Sequence, residues 1–323
     1  MLRAFRIAAV SLLFVTAFLS FGGAASAAGE RFVLVSHAPD SDVWWNTIKT
    51  AVREAGEHLG VSVEYRNPPR GRLKTMARLI EEAAAERPDG IVTTIADYDV
   101  LDEPIRRAVE AGIPVVTINS GTAEQSASLG AMMHVGQPER DAGIRAGERL
   151  RGVDSFLCVN HYISNPASVE RCKGFARGLG IDFEPRYMID SGQEPETVAA
   201  RVRAHLKANP GVEAVLALGP LSAHPTLKVL RALNAGDRPH MVTFDLSPTI
   251  TQGIRDGVID FAIDQQPYLQ AYIPVWVLTL RARYGLDPGN NINSGPGFVT
   301  RENVDLVERL IAEYQSPEGR SGE

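Results

Sequence analysis

Residues 31–60 read RFVLVSHAPDSDVWWNTIKTAVREAGEHLG, and two periodicities meet inside them. Arg31 to Ser36 is a short, nearly unbroken apolar run, the pattern of a strand buried on both faces. From Trp44 onward the spacing changes. Trp44, Ile48, Ala51, Val52, Ala55 and Leu59 recur at three- and four-residue steps, which is one apolar stripe of a helix, and Gly60 ends it. The same alternation continues outward. Val61 to Tyr65 is expected as a strand, Leu73, Met76, Ala77, Ile80 and Ala84 mark a second helix, and Asp89-Gly90 turns into the strand Ile91 to Ile95. A third helix runs to about Ala111, and Gly112-Ile113-Pro114 introduces the strand Val115 to Asn119. Right-handed crossovers then require a parallel sheet with helices on both faces.

After Met132 to Gly136 the pattern begins again. Strands are expected at Ser155 to Asn160, Arg186 to Asp190, Ala214 to Gly219, Met241 to Asp245 and Phe261 to Ile263. Helices are expected to begin near Pro166, Glu194, Pro220 and Pro248, with two more through Val275 and up to Tyr314. The fold class expected is α/β, as two doubly wound parallel-sheet lobes joined by a multi-strand hinge. The division expected is residues 28–133 with 266–294 for the first lobe, and 134–265 with 295–323 for the second.

Composition narrows the function. The chain is 44% apolar and 22% charged, which excludes a disordered chain. Its formal charge is −6, and no run of Lys and Arg offers a nucleic-acid footprint. Arg3 and Arg6, the apolar run Ile7 to Phe21 and the small residues Ala25-Ser26-Ala27 read as an export signal, residues 1–27, cleaved after Ala27. That run is short for a membrane span. An exported product meets an oxidising compartment, so Cys158 and Cys172 are expected either as a disulfide or as two buried thiols. On a chain-entropy account the bond contributes about 3 kcal/mol.

Enzyme signatures are missing: no phosphate-binding G-x-x-x-x-G-K-[ST], no G-x-G-x-x-G after the first strand, no G-x-S-x-G and no H-E-x-x-H. No metal or cofactor is expected. Polar and aromatic residues instead collect beyond the carboxyl ends of the expected strands, the edge where open α/β sheets bind ligands. They are Ser36, His37, Asp40, Trp44 and Trp45 after the first strand, then Asn119, His161, Gly219, Asp245 and Gln265.

The order of Asp40–Asn46, Pro114–Asn119, Gly136–Gly147 (GQPERDAGIRAG), Glu170–Phe175 (ERCKGF), Val242–Asp245 and Phe261–Tyr272 resembles the ribose-binding type of periplasmic solute-binding protein. The resemblance spans the mature chain. It implies a monomeric, non-enzymatic receptor that closes two lobes around a sugar or cyclitol and delivers it to the membrane permease of an ABC importer. A sensor subunit serving a chemoreceptor or histidine kinase, or a secreted hydrolase, are the alternatives. By the same resemblance Ser36, Asp40, Trp44 and Trp45, Asn119 (where the family commonly has Asp), Arg171, Asp245 and Gln265 face the ligand. Gly219-Pro220 stands where the family often has an Asn-Asp pair, so one hydroxyl-binding side chain is missing. For Ser41 and Asp42 the expected role is to cap the first helix, and for Asn165 to cap the helix after Pro166.

Overall fold

The computed structural model describes residues 29–315, so the export signal read at residues 1–27 lies outside the described residues. The first lobe comprises β1 (Arg31–Val35), α1 (Trp45–Leu59), β2 (Ser62–Arg66), α2 (Leu73–Ala85), β3 (Gly90–Thr93), α3 (Tyr98–Glu110), β4 (Val115–Ile118), α4 (Ala123–Ser128) and β5 (Met133–Gly136). The chain then crosses to α5 (Glu139–Glu148), β6 (Phe156–Asn160), α6 (Pro166–Leu179), β7 (Met188–Asp190), α7 (Pro195–Ala208), β8 (Ala214–Ala217), α8 (Pro220–Arg231), β9 (His240–Phe244), α9 (Pro248–Arg255) and β10 (Phe261–Asp264). It returns as α10 (Pro267–Tyr284), which packs on α1, and β11 (Ile292–Asn293). A last crossing leads to β12 (Gly297–Val299) and α11 (Val304–Gln315).

The two sheets share one plan. The first runs β11-β5-β4-β3-β1-β2 and is parallel throughout; the second runs β12-β10-β9-β8-β6-β7, with only β12 antiparallel. Strand order reverses at β1 in one lobe and at β6 in the other, and such switch points leave a crevice beyond the strand ends. β5 pairs with β4 in the first sheet as far as Val135 and with β11 through Gly136. The boundary expected at 133/134 therefore cuts through a strand, and the crossing lies at Gln137–Pro138.

The helix α5 was not anticipated, and neither was α4. α4 is a single turn and a half closed by a capping box, Thr122 with Gln125. α5 has few large apolar residues because its inner face is made of glycine. A Cβ on Gly143 would lie 2.4 Å from the Arg171 carbonyl oxygen, and one on Gly147 2.3 Å from that of Phe175. Reciprocally, a Cβ on Gly174 would lie 2.1 Å from the Arg140 oxygen and one on Gly178 2.1 Å from that of Ile144. The two G-x-x-x-G faces let α5 and α6 approach backbone to backbone.

The remaining local signals act as expected. Gly60 adopts the left-handed conformation that ends α1, and Asn165 accepts from the Ala167 amide to cap α6, with Pro166 in the first turn. Cys158 and Cys172 form a disulfide between β6 and α6, so the two-thiol alternative falls. Among the described residues no helix is long and apolar enough to cross a membrane.

Candidate functional site

The strand ends of both lobes converge on one polar cluster. Asn119 and Asp245, each the residue just after a strand (β4 and β9), hold left-handed backbones with φ of 58° and 69°. Gln266, at the second crossing, does the same with φ 56°. Asn and Asp tolerate this conformation better than other non-glycine residues, and such strain collects where side chains must be aimed.

The aimed side chains form a continuous chain across the lobes. Gln265 donates from Nε2 to Asp245 Oδ1 at 2.5 Å and accepts from Asn119 Nδ2 at 3.3 Å. Asn119 Nδ2 also reaches Gln270 Oε1 at 3.2 Å, and Gln270 donates to Ser294 at the third crossing. Asn165 Nδ2 of the second lobe donates to Ser120 Oγ of the first at 2.9 Å. The rings of His37 and Tyr162 meet edge-on across the gap, 5.5 Å between centroids. These contacts describe lobes brought together.

Burial sets the charge states. Asp245 is 6% exposed, and burial raises its carboxyl to about 7, with Arg171 and Gln265 pulling the other way. Asp42 is raised to about 6 by burial, against the Trp44 amide and Lys49. Burial lowers His37 to about 3, where a protonated His161 would oppose its charging further, and lowers His161 to about 4, with the Arg171 charge adding to it. Both imidazoles are neutral at pH 7, and the Nδ1 of His161 is buried without a hydrogen-bond partner.

Arg171 is held from three sides. Its Nε and Nη2 donate to both oxygens of Glu139 at 2.6 and 2.7 Å, its Nη1 donates to the Leu218 carbonyl at 3.1 Å, and its guanidinium lies 4.3 Å above the Phe244 ring. Arg171 thus sits in a buried ion pair. Glu139, placed by the glycine-packed α5, is the partner that sequence reasoning missed.

Not every expected residue joins the cluster. Asp40 is exposed and accepts from Asn67 Nδ2 at 2.9 Å, on the outside of the β1–α1 connection. Trp44 and Trp45 are 7% and 2% exposed and both pack in the first-lobe core, their rings 5.1 Å apart; Trp45 also meets His37 edge-on at 5.2 Å. Ser36 is buried and shares a 2.6 Å hydrogen bond with the Tyr65 hydroxyl. Asp42 accepts from the Trp44 amide at 3.2 Å, just ahead of α1, but the N-cap position is Trp44 and no side chain caps the helix, so the capping role expected of Ser41 and Asp42 is not what α1 uses; the Asp42 charge is felt by Asp245. At Gly219 a Cβ would stand 3.1 Å from Asp245 Oδ2 and 3.2 Å from the His161 ring, so glycine is what lets these two approach. Ser120, Tyr162 and Asn165 went unassigned to the site because a Ser, a Tyr and a helix cap carry no signal of position until the lobes meet.

Compared with known proteins, residues 32–285 match the periplasmic binding protein domain. The chain belongs to the periplasmic binding protein family. Its solute-binding relatives include a carbohydrate transporter of Acidothermus cellulolyticus solved in complex with myo-inositol, 30% identical, with a TM-score of 0.80 over 89% of this chain and 99% of that one. A periplasmic sugar-binding protein of an ABC sugar transporter from Legionella pneumophila is 25% identical, with a TM-score of 0.74 over 83% and 100% of the two chains. The xylose/arabinose-binding protein XylF of Sulfolobus acidocaldarius is 24% identical over 85% of this chain and 72% of its own. As a periplasmic binding protein of the ABC sugar-transporter type, the chain works outside the cytoplasm, captures a small polar solute without chemical change and passes it to a membrane permease.

Proposed function

We propose that the cleft closes on one neutral, polyhydroxylated molecule, a cyclitol or a sugar, and that Asp245, Gln265, Asn119 and Arg171 read its hydroxyls while Trp45, His37 and Tyr162 wall its C–H faces. The observation that carries this is the hydrogen-bonded chain Asp245–Gln265–Asn119, which reaches from the second lobe into the first. A hydroxyl both donates and accepts, and these planar side chains offer fixed acceptors and donors at its level. Aromatic edges and faces exclude water from the same space. Arg171 is matched by Glu139, so its charge is already answered and an acidic ligand gains little there. The myo-inositol held by the Acidothermus relative supports a cyclitol as the first candidate.

Ligand contacts to both lobes bias the closed arrangement, the ordinary logic of hinge closure. In this reading residues 1–27 are the cleaved export signal, the two lobes part at Gln137, Gln265 and Ser294, and Ser36, Trp44 and Asp40 support the site rather than touch solute. The test is a thermal-shift panel of myo-inositol, D-ribose, D-xylose and L-arabinose. A true ligand at 100 times its dissociation constant stabilises the fold by about 2.7 kcal/mol. Asp245→Asn then weakens it by roughly 10- to 100-fold, the range of one charge-assisted hydrogen bond of about 1.5–3 kcal/mol. A panel without a shift, or full affinity in Asp245→Asn, overturns the reading.

A further inference from the structure

The disulfide lies one residue from Arg171, in a position that the solute-binding reading does not itself require. Cys172 follows Arg171 on α6, and its partner Cys158 sits on β6, the strand between β8 and β7 whose end carries Asn160 and then His161. Both cysteines are fully buried, in a core cluster with Phe156, Phe175 and Phe244, the last being the ring beneath the Arg171 guanidinium. On its other side α6 meets α5 backbone to backbone through Gly143, Gly147, Gly174 and Gly178. The segment bearing Arg171 is therefore clamped between a glycine contact that cannot compress and a covalent bond to the sheet.

We propose that the Cys158–Cys172 disulfide is a positioning element for Arg171, so that the order of the Arg171–Glu139 pair depends on the oxidation state of the chain. Two thiols must stand at van der Waals separation in place of a covalent bond. In a core packed like a crystal that extra room comes from movement of α6 or β6. α6 cannot move toward α5, where a shift brings glycine Cα atoms into carbonyl oxygens. The helix instead turns or slides, and Arg171 leaves the geometry in which it meets both Glu139 oxygens and the Leu218 carbonyl. The chain gains its ordered cation after it reaches an oxidising compartment. Oxidation of the pair takes two electrons and releases two protons, and the acceptor is the disulfide of a thiol oxidant in that compartment.

The test needs no ligand, so its failure is separate from any failure of the solute reading. Nitrogen-15 spectra of the Arg Nε–H groups are recorded on oxidised protein, on protein made and kept in reductant, and on Cys158→Ala/Cys172→Ala. Arg171→Lys removes the resonance and assigns it; Glu139→Gln, which shifts it, is the second assignment. The expected result is a sharp, slowly exchanging Arg171 Nε–H in the oxidised protein. In both disulfide-free forms it exchanges at least tenfold faster, while first-lobe amides keep their positions. An unchanged Nε–H in the two forms overturns the proposal. So does loss of the whole amide spectrum, which assigns the bond to folding alone.

Discussion

The Arg171–Glu139 pair offers the sharpest quantitative test of how this lobe is held together. Both side chains are buried, 7% and 5% exposed, and share two hydrogen bonds of 2.6 and 2.7 Å. Glu139→Leu removes both and leaves a buried guanidinium with the Leu218 carbonyl and the nearby Asp245 charge. Arg171→Met leaves a buried carboxylate with the Gln137 amide, 2.8 Å from Glu139 Oε2. Breaking a buried pair from one side costs about 3–5 kcal/mol. The residual partners here place both single variants near the lower end, about 3 kcal/mol. The double variant Glu139→Leu/Arg171→Met buries no charge and costs far less than the roughly 6 kcal/mol of an additive pair, because the desolvation that opposed the pair is gone with it. Urea unfolding followed by circular dichroism measures all three. The tryptophans, Trp44, Trp45 and Trp276, all lie in the first lobe, so their fluorescence reports whether a destabilised second lobe melts alone. Additive costs, or single variants within about 1 kcal/mol of the parent, refute the reasoning.

Four other outcomes follow from the same geometry. Gly174→Ala, whose Cβ meets the Arg140 oxygen at 2.1 Å, is expected to cost about 1–3 kcal/mol in urea unfolding, whereas Gly211→Ala, with open space around it, is near neutral. His134 is buried against Thr117 and lowered by burial to about 4, so its stabilising contribution is complete above 6.5 and is lost as pH falls toward 4; His134→Asn should unfold with roughly one proton fewer taken up near pH 5. Asp245 acts in the opposite sense. Its folded value, raised to about 7 by burial, gives stability that is full below about 4 and is lost as pH rises through 7, so Asp245→Asn should gain stability over the parent at pH 8 and not at pH 4, read from urea midpoints without ligand. Ser120→Ala removes the Asn165 bond between lobes and the bond that Ser120 donates to Asn119 Oδ1, and should lower ligand affinity roughly 5- to 100-fold by calorimetry, as two neutral hydrogen bonds of about 0.5–1.5 kcal/mol each require.

Much of the fold was readable from spacing alone. Strand cores such as Phe32 to Val35 are short, unbroken apolar runs, and α1 declares its face by three- and four-residue steps, since both patterns record which side of an element meets the core. The polar residues after β1, β4, β9 and β10 were readable for the same reason: in a parallel sheet every strand delivers its carboxyl end to one edge. Tertiary structure decided the rest. α5 was invisible because its packing face is glycine, whose role is absence of a side chain and so leaves no apolar stripe. Glu139 as the partner of Arg171, Ser120 as the acceptor of Asn165, and Asp40 turned outward toward Asn67 all depend on distances between segments far apart in the chain, which local periodicity does not encode. The bond between Cys158 and Cys172 belongs to the same class, because it is the seating of α6 on β6 that brings two permissible thiols into one place.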